Sequence, residues 1–231
     1  MAPCLTGQSD LHLCAAADAQ FLGVSAHDQV VGPFLRLKEE ASRAGYDLRI
    51  LSGFRAFEKQ LSIWNRKVLG DLPVLDSQAV PLDIDKLSRR DLVFAILRWS
   101  ALPGASRHHW GTDLDVFDAA AKPEGYEVEL IPEEVNPGGM FGRLHDWLDE
   151  RISSATAFGF FRPYDRDRGG VAPERWHLSH EPVASVFQSQ LSLELLRGTI
   201  LEADMELKDV VLENLHEIYE QFVMNVGRPP A

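Results

Sequence analysis

Ser106-Arg107-His108-His109-Trp110-Gly111-Thr112-Asp113-Leu114-Asp115 is the stretch on which the reading of this chain turns, and Glu174-Arg175-Trp176-His177 answers it far downstream. Asp113 and Asp115 are two apart, so on a strand both side chains leave the same face. His108 precedes Asp115 by an odd offset, which an uninterrupted strand would carry to the opposite face. Gly111 stands between them and permits the turn or bulge that brings His108 round. By the same logic Pro173-Glu174 belongs to a loop and His177 to the short strand that follows it.

His108, Asp115 and His177 then offer two ring nitrogens and one carboxylate to a metal, with Glu174 free beside the last ligand. Three protein ligands, an open position for water and a carboxylate to take its proton are the parts of a hydrolytic zinc site. No HExxH occurs, so the ligands come from loop-to-strand junctions and not from one helix face. His109 directly follows a ligand and points elsewhere, and His180, three residues after His177, faces away. Trp110 and Trp176 are expected as walls of the site. Asp113 has two readings: an acceptor for the second nitrogen of a ligand histidine, or a solvated carboxylate. A lone His and Asp at such spacing carry little, and the combination carries the argument.

Working outward, the patterns predict helices over 30–45, 54–69, 89–101 and 141–158, and strands over 46–51, 112–117 and 176–179. Segments 74–88 and 122–139 are rich in Pro, Gly and Asp and read as irregular, and 162–173 reads as a charged loop. From 201 to 226, Leu207, Val211, Leu215, Ile218 and Phe222 recur at three- and four-residue steps and predict one amphipathic helix. That helix is read either as a cap packed on the rest of the chain or as a dimerisation surface, so both monomer and dimer stay open.

Composition sets the outer bounds. The 231 residues carry a formal net charge of −12, which argues against nucleic-acid and anionic-membrane partners, since no Lys/Arg-rich block stands against it. Cys4 and Cys14 lie outside every motif and read as free thiols. No run of about 18 or more apolar residues suggests a membrane span. The first residues lack a basic and then apolar leader, so a cytoplasmic location is expected, with a periplasmic or cell-wall location as the alternative.

The two motifs together resemble the signature of the zinc D-alanyl-D-alanine carboxypeptidases and dipeptidases, the LAS metallopeptidases. That family includes the peptidases of vancomycin resistance and shares its fold with the hedgehog signalling domain. Its usual pattern is SxHxxGxAxD followed by ExWH, and this chain departs from it at one fixed position, where Asp113 replaces the small Ala. Ser52-Gly53-Phe54-Arg55-Ala56, with Gln60 beyond it, resembles the family's SGYRS segment. The resemblance spans roughly residues 48–179.

It implies an α+β fold, a small antiparallel sheet flanked by helices, with the C-terminal amphipathic helix outside the matched region. The organisation it suggests is a lead segment over 1–29, a zinc peptidase catalytic domain over 30–182 and a helical extension over 183–231. His108, Asp115 and His177 would bind Zn²⁺, and Glu174 would be the general base for a water activated at the metal. Arg55 would stabilise the oxyanion or hold a substrate carboxylate. Ser106 and Gln60 would bind substrate, a peptidoglycan-derived peptide ending in a D-amino acid. An endopeptidase of the same fold, such as a lysin, and a zinc-bound interaction module without turnover are the rival readings. Glu174 and Arg55 weigh against the module, which needs no general base.

Overall fold

The alternation around Tyr46 is realised as strand β1 (Leu48–Ser52), and the turn at Gly111 feeds β2 (Asp113–Asp118). In the computed structural model, which describes residues 2–229, these strands join β3 (Phe160–Phe161) and β4 (His177–His180) in one antiparallel sheet ordered β1-β2-β4-β3. Leu48, Ile50, Leu114, Val116 and Leu178 leave one face of the sheet and are buried. They pack against Val30, Phe34, Leu37 and Ala41 of helix Asp28–Arg43 and against Leu144, Trp147 and Leu148 of helix Gly142–Ser153. Each large aliphatic side chain so buried contributes about 1.5–3 kcal/mol.

The opposite face carries the polar residues. A register shift between Ile50 and Ser52 places Ser52 across from Asp115, while Asp115 pairs with His177 on its other side. The bulge thus brings Ser52 to the face of Asp113 and Asp115.

A second core lies beside this one. Helices Phe57–Val68 and Arg89–Leu97 bring Phe57, Leu61, Trp64, Val93, Ile96 and Leu97 together with Leu196, Ile200, Val211, Leu215 and Ile218 of the C-terminal helices. Leu5 joins the same cluster, and its carbonyl accepts from Trp110 Nε1 at 3.0 Å.

Most predicted elements are present with shorter bounds. The helix expected from residue 54 begins at Phe57 because the preceding peptides bond across the chain: Phe54 N donates to Ser25 O and Arg55 N to His108 O. The helix expected over 141–158 stops at Ser153, and Ala155 and Phe158 follow with positive φ. The single helix expected over 201–226 is broken. Helix Leu193–Glu202 ends, Lys208–Glu213 and Leu215–Ile218 follow as short helices, and Tyr219–Val223 closes with a π turn. The cause is tertiary. Trp64 Nε1 donates to Glu206 O, Asn65 Nδ2 donates to Asp204 O, and Glu206 N donates to Asn65 Oδ1, each at 2.9–3.0 Å. Peptide groups engaged this way cannot complete a helical ladder. Val211, Leu215, Ile218 and Phe222 are nevertheless buried within the chain, and Leu207 is half-buried. Among the described residues no helix is long and apolar enough to cross a membrane.

Candidate metal centre

His108 reaches the site from a single 3₁₀ turn, Arg107–Trp110, which Gly111 ends at φ 65°. A β-carbon on Gly111 would stand 2.6 Å from His27 N, so the turn needs both the left-handed conformation and the missing side chain. Asp115 and His177 come from facing positions of β2 and β4. Glu174 precedes β4 in a turn in which His177 N donates to Glu174 O.

These side chains converge. One ligand atom from each of His108, Asp115 and His177 lies within 4.8 Å of the others. His108 Nε2 is 3.4 Å from Asp115 Oδ2, and His177 Nδ1 is 3.3 Å from Asp115 Oδ1 and 3.2 Å from Glu174 Oε2. The far nitrogen of each ring is already occupied. His108 Nδ1 donates to Gly53 O at 2.8 Å, and His177 Nε2 donates to Asp113 Oδ1 at 2.9 Å. The remaining nitrogens therefore both face Asp115, as metal-binding imidazoles require.

Two observations fit a cation there. Asp115 Oδ1 and His177 Nδ1 are buried and lack a well-aligned hydrogen-bond partner. Burial and charge are also out of balance. Burial lowers the His108 pKa to about 4, which leaves its imidazole neutral with an open lone pair. Burial likewise raises the Glu174 carboxyl above its ordinary range. At His177 burial disfavours the charged ring, but the hydrogen bond it donates to Asp113 and the carboxylates of Asp115 and Glu174 outweigh it and push its pKa well above the ordinary value. Buried carboxylates that recruit a proton onto a histidine would be satisfied equally by a divalent ion. Two nitrogens and one carboxylate oxygen are a donor set suited to zinc.

The triad opens into a cavity of about 250 Å³ whose walls include Arg55, Ser106, Tyr164, Glu174 and Trp176. Ser106 Oγ is buried without a partner. Arg55 is braced by Gln60 Oε1 at 2.9 Å and Ser52 Oγ at 3.3 Å. Gln60, expected to touch substrate, is placed behind Arg55: it is fully buried, is not part of the cavity wall, and spends its amide N–H on Ala101 O at 2.7 Å. Trp110 is likewise not a wall. It packs in the helical core against Phe187, whereas Trp176 lines the cavity as expected. His109 turns away, donating from Nδ1 to Arg55 O and accepting at Nε2 from Gly104 N. His180 packs against Phe160.

Asp113 is no solvated carboxylate. It is fully buried and accepts from Arg107 Nε and His177 Nε2 at one oxygen and from Thr112 and Ser179 hydroxyls at the other. Sequence reasoning missed Tyr164, whose ring stands edge-on to His177 with centroids 5.0 Å apart. Burial pushes its hydroxyl pKa up to about 12, so it faces the cavity as a neutral donor. Its position in the charged loop just before Glu174 was the one signal that could have marked it.

Comparison with known proteins bears on the family and the fold. The family model described as VanY, D-alanyl-D-alanine carboxypeptidase, matches residues 24–183. An uncharacterised protein of Haemophilus influenzae is 31% identical over 125 residues, covering 53% of this chain and 93% of the relative. A D-alanyl-D-alanine carboxypeptidase of Enterococcus faecalis is 26% identical over 171 residues, covering 71% of this chain and 53% of that protein. Among solved structures, VanYB in complex with D-alanine-D-alanine superposes with a TM-score of 0.51 at 20% identity, covering 85% of this chain and 92% of that one. A variant of the vancomycin-resistance D,D-pentapeptidase VanY in complex with Zn(II) gives 0.50 at 21% identity, covering 88% and 91%. At such identities the superpositions establish the fold.

Proposed function

The chain belongs to the VanY D-alanyl-D-alanine carboxypeptidase family, and from that premise we propose that it is a zinc-dependent carboxypeptidase or dipeptidase acting on peptidoglycan-type peptides that end in a D-amino acid. The observation that carries this reading is the convergence of His108, Asp115 and His177 with Glu174 3.2 Å from the His177 ligand nitrogen, all on one cavity. Zinc held by the three ligands would supply a Lewis acid that polarises the scissile carbonyl and acidifies water.

The other roles belong to the chain's own side chains. Glu174, next to the triad, takes the proton of the attacking water and returns it to the departing amine. Arg55, fixed by Gln60 and Ser52, presents a permanent positive charge to the oxyanion or to a substrate carboxylate. Ser106 Oγ, buried and unpartnered on the wall, bonds the substrate's terminal carboxylate or backbone. Tyr164 adds a neutral donor on the side of His177.

The test is product analysis by mass spectrometry. Zinc-loaded protein is incubated with D-Ala-D-Ala, a stem pentapeptide and a stem tetrapeptide, beside an EDTA-treated control. Metal-dependent loss of a terminal D-Ala is expected, and the preferred peptide separates dipeptidase from D,D- and L,D-carboxypeptidase. Cleavage of a C-terminally amidated substrate would favour an endopeptidase. No cleavage of any peptide with zinc bound would overturn the reading in favour of an interaction module.

A further inference from the structure

Asp113 is the one fixed position at which this chain departs from the family pattern, and it is the most heavily bonded carboxylate near the site. Its Oδ1 accepts from His177 Nε2 at 2.9 Å and from Arg107 Nε at 2.8 Å. Its Oδ2 accepts from Thr112 Oγ1 at 2.6 Å and from Ser179 Oγ at 3.1 Å. Arg107 is itself fixed, with Nη1 on Gln188 Oε1 at 2.9 Å and Nη2 on Ser179 Oγ at 2.7 Å. Its guanidinium lies 4.8 Å from the Trp110 ring centroid. Arg107, Thr112, Asp113, His177 and Ser179 are all buried, and Gln188 is half-buried.

We propose that Asp113, buttressed by Arg107, is a positioning residue for the metal centre: it captures His177 Nε2–H and thereby aims His177 Nδ1 at the metal. The register explains why the residue acts through His177 and not as a ligand. Asp113 pairs with Ser179 and Asp115 with His177, so Asp113 sits one step along the same face, behind the imidazole. A small residue there would leave Nε2 without this acceptor. A lone buried carboxylate would be costly, and Arg107 and the two hydroxyls are what make it tolerable. Gln188, on helix Glu181–Gln190, extends the support into the C-terminal helices. A carboxylate behind a ligand histidine fixes the ring and increases its basicity, and losing such a partner costs about 10–100-fold in metal affinity.

The inference rests on the zinc reading above, and the experiment separates the two. Zinc affinity is measured by competition with a chromophoric chelator for the wild-type protein, Asp113→Ala, and the paired variant Arg107→Met with Asp113→Ala, with thermal unfolding in parallel. If the wild-type protein binds no zinc, the metal reading itself fails. If it binds, Asp113→Ala is expected to weaken zinc by about 10–100-fold. The paired variant removes the unpaired buried guanidinium, so it is expected to recover thermal stability while its zinc affinity stays low. A role limited to the ion pair would restore both together, and that result overturns the proposal. Should neither variant fold, long-range ¹H–¹⁵N spectra of the zinc-loaded wild-type protein decide: a His177 Nε2–H tautomer is required, and an Nδ1–H tautomer sinks the idea.

Discussion

Asp115 and His177 lie directly opposite one another on β2 and β4, and Asp115 Oδ1 comes within 3.3 Å of His177 Nδ1. Two ligands separated by 62 positions in the chain are thus made neighbours by a single strand pairing. Shifting that pairing by one residue would send one of them to the hydrophobic face. The site therefore depends on the same register that buries Leu114, Val116 and Leu178.

Replacing Glu174 by Ala or Gln is expected to lower hydrolysis by about 10²–10⁴-fold while zinc still binds, because the carboxylate acts on the proton and not on the metal. Steady-state kinetics beside a metal titration check this. Activity within a few-fold of wild type would remove Glu174 from the mechanism.

Stripping the metal is expected to destabilise the fold, since Asp115 and His177 then keep buried atoms without partners. Zinc at about 100 times its Kd adds roughly 2.7 kcal/mol. Thermal unfolding with and without zinc reads this gain, and His108→Ala should abolish it.

Gln60→Ala tests the brace behind Arg55. It leaves Ala101 O without its side-chain donor and Arg55 Nη1 without its acceptor, with only Ser52 Oγ still holding the guanidinium, an expected loss of about 1–3 kcal/mol of stability. A fall in kcat/KM should accompany it, although Gln60 lies off the cavity wall. Urea unfolding and kinetics on the same preparation separate the two losses, and unchanged kinetics would show that Arg55 holds its place without Gln60.

Gly111→Ala places a β-carbon 2.6 Å from His27 N in a left-handed conformation, and a penalty of about 1–3 kcal/mol or more is expected. Because the turn carries His108, zinc affinity should drop as well. A variant with wild-type melting and affinity would mean that the turn relaxes freely.

His145 links stability to pH away from the metal centre. Burial, reinforced by Arg162 and Arg175, holds its pKa well below 6.5. Below about pH 6.5 the unfolded chain binds a proton there that the folded chain does not, so stability is full above that pH and declines as pH falls. One such proton gives a limiting slope of about 1.4 kcal/mol per pH unit. Urea unfolding of metal-free protein at pH 7.5 and 5.5 should show the decline, and His145→Asn should reduce its slope by as much as one proton's share. Equal slopes would place the proton uptake elsewhere.

How much of this was legible beforehand follows from what local pattern encodes. Alternation along a strand says which way a side chain leaves the backbone, and a glycine says where the chain can turn. His108, Asp115, Glu174 and His177 could be picked out on those grounds, together with the residue types that metal-assisted hydrolysis needs; Arg55 came from the resemblance to the family's SGYRS segment, and the structure brings all five to one cavity. The helical character of 201–226 was legible too, because its apolar spacing matches a helix face.

Tertiary structure decided the rest, wherever the partner lies far away in the chain. Asn65 and Trp64 break the C-terminal helix by capturing peptide groups about 140 residues on. Gln60 turned out to serve Arg55 because Ala101 O takes its amide N–H and leaves Oε1 to accept from the guanidinium. Tyr164 reached the cavity through a loop with no periodicity to read, and Asp113 acquired its place through His177, Ser179 and Arg107. By itself the sequence determined which chemistries were available and which way the strand residues point. Only packing decided which groups meet, because a hydrogen bond requires a matching within a few tenths of an ångström that no spacing pattern contains.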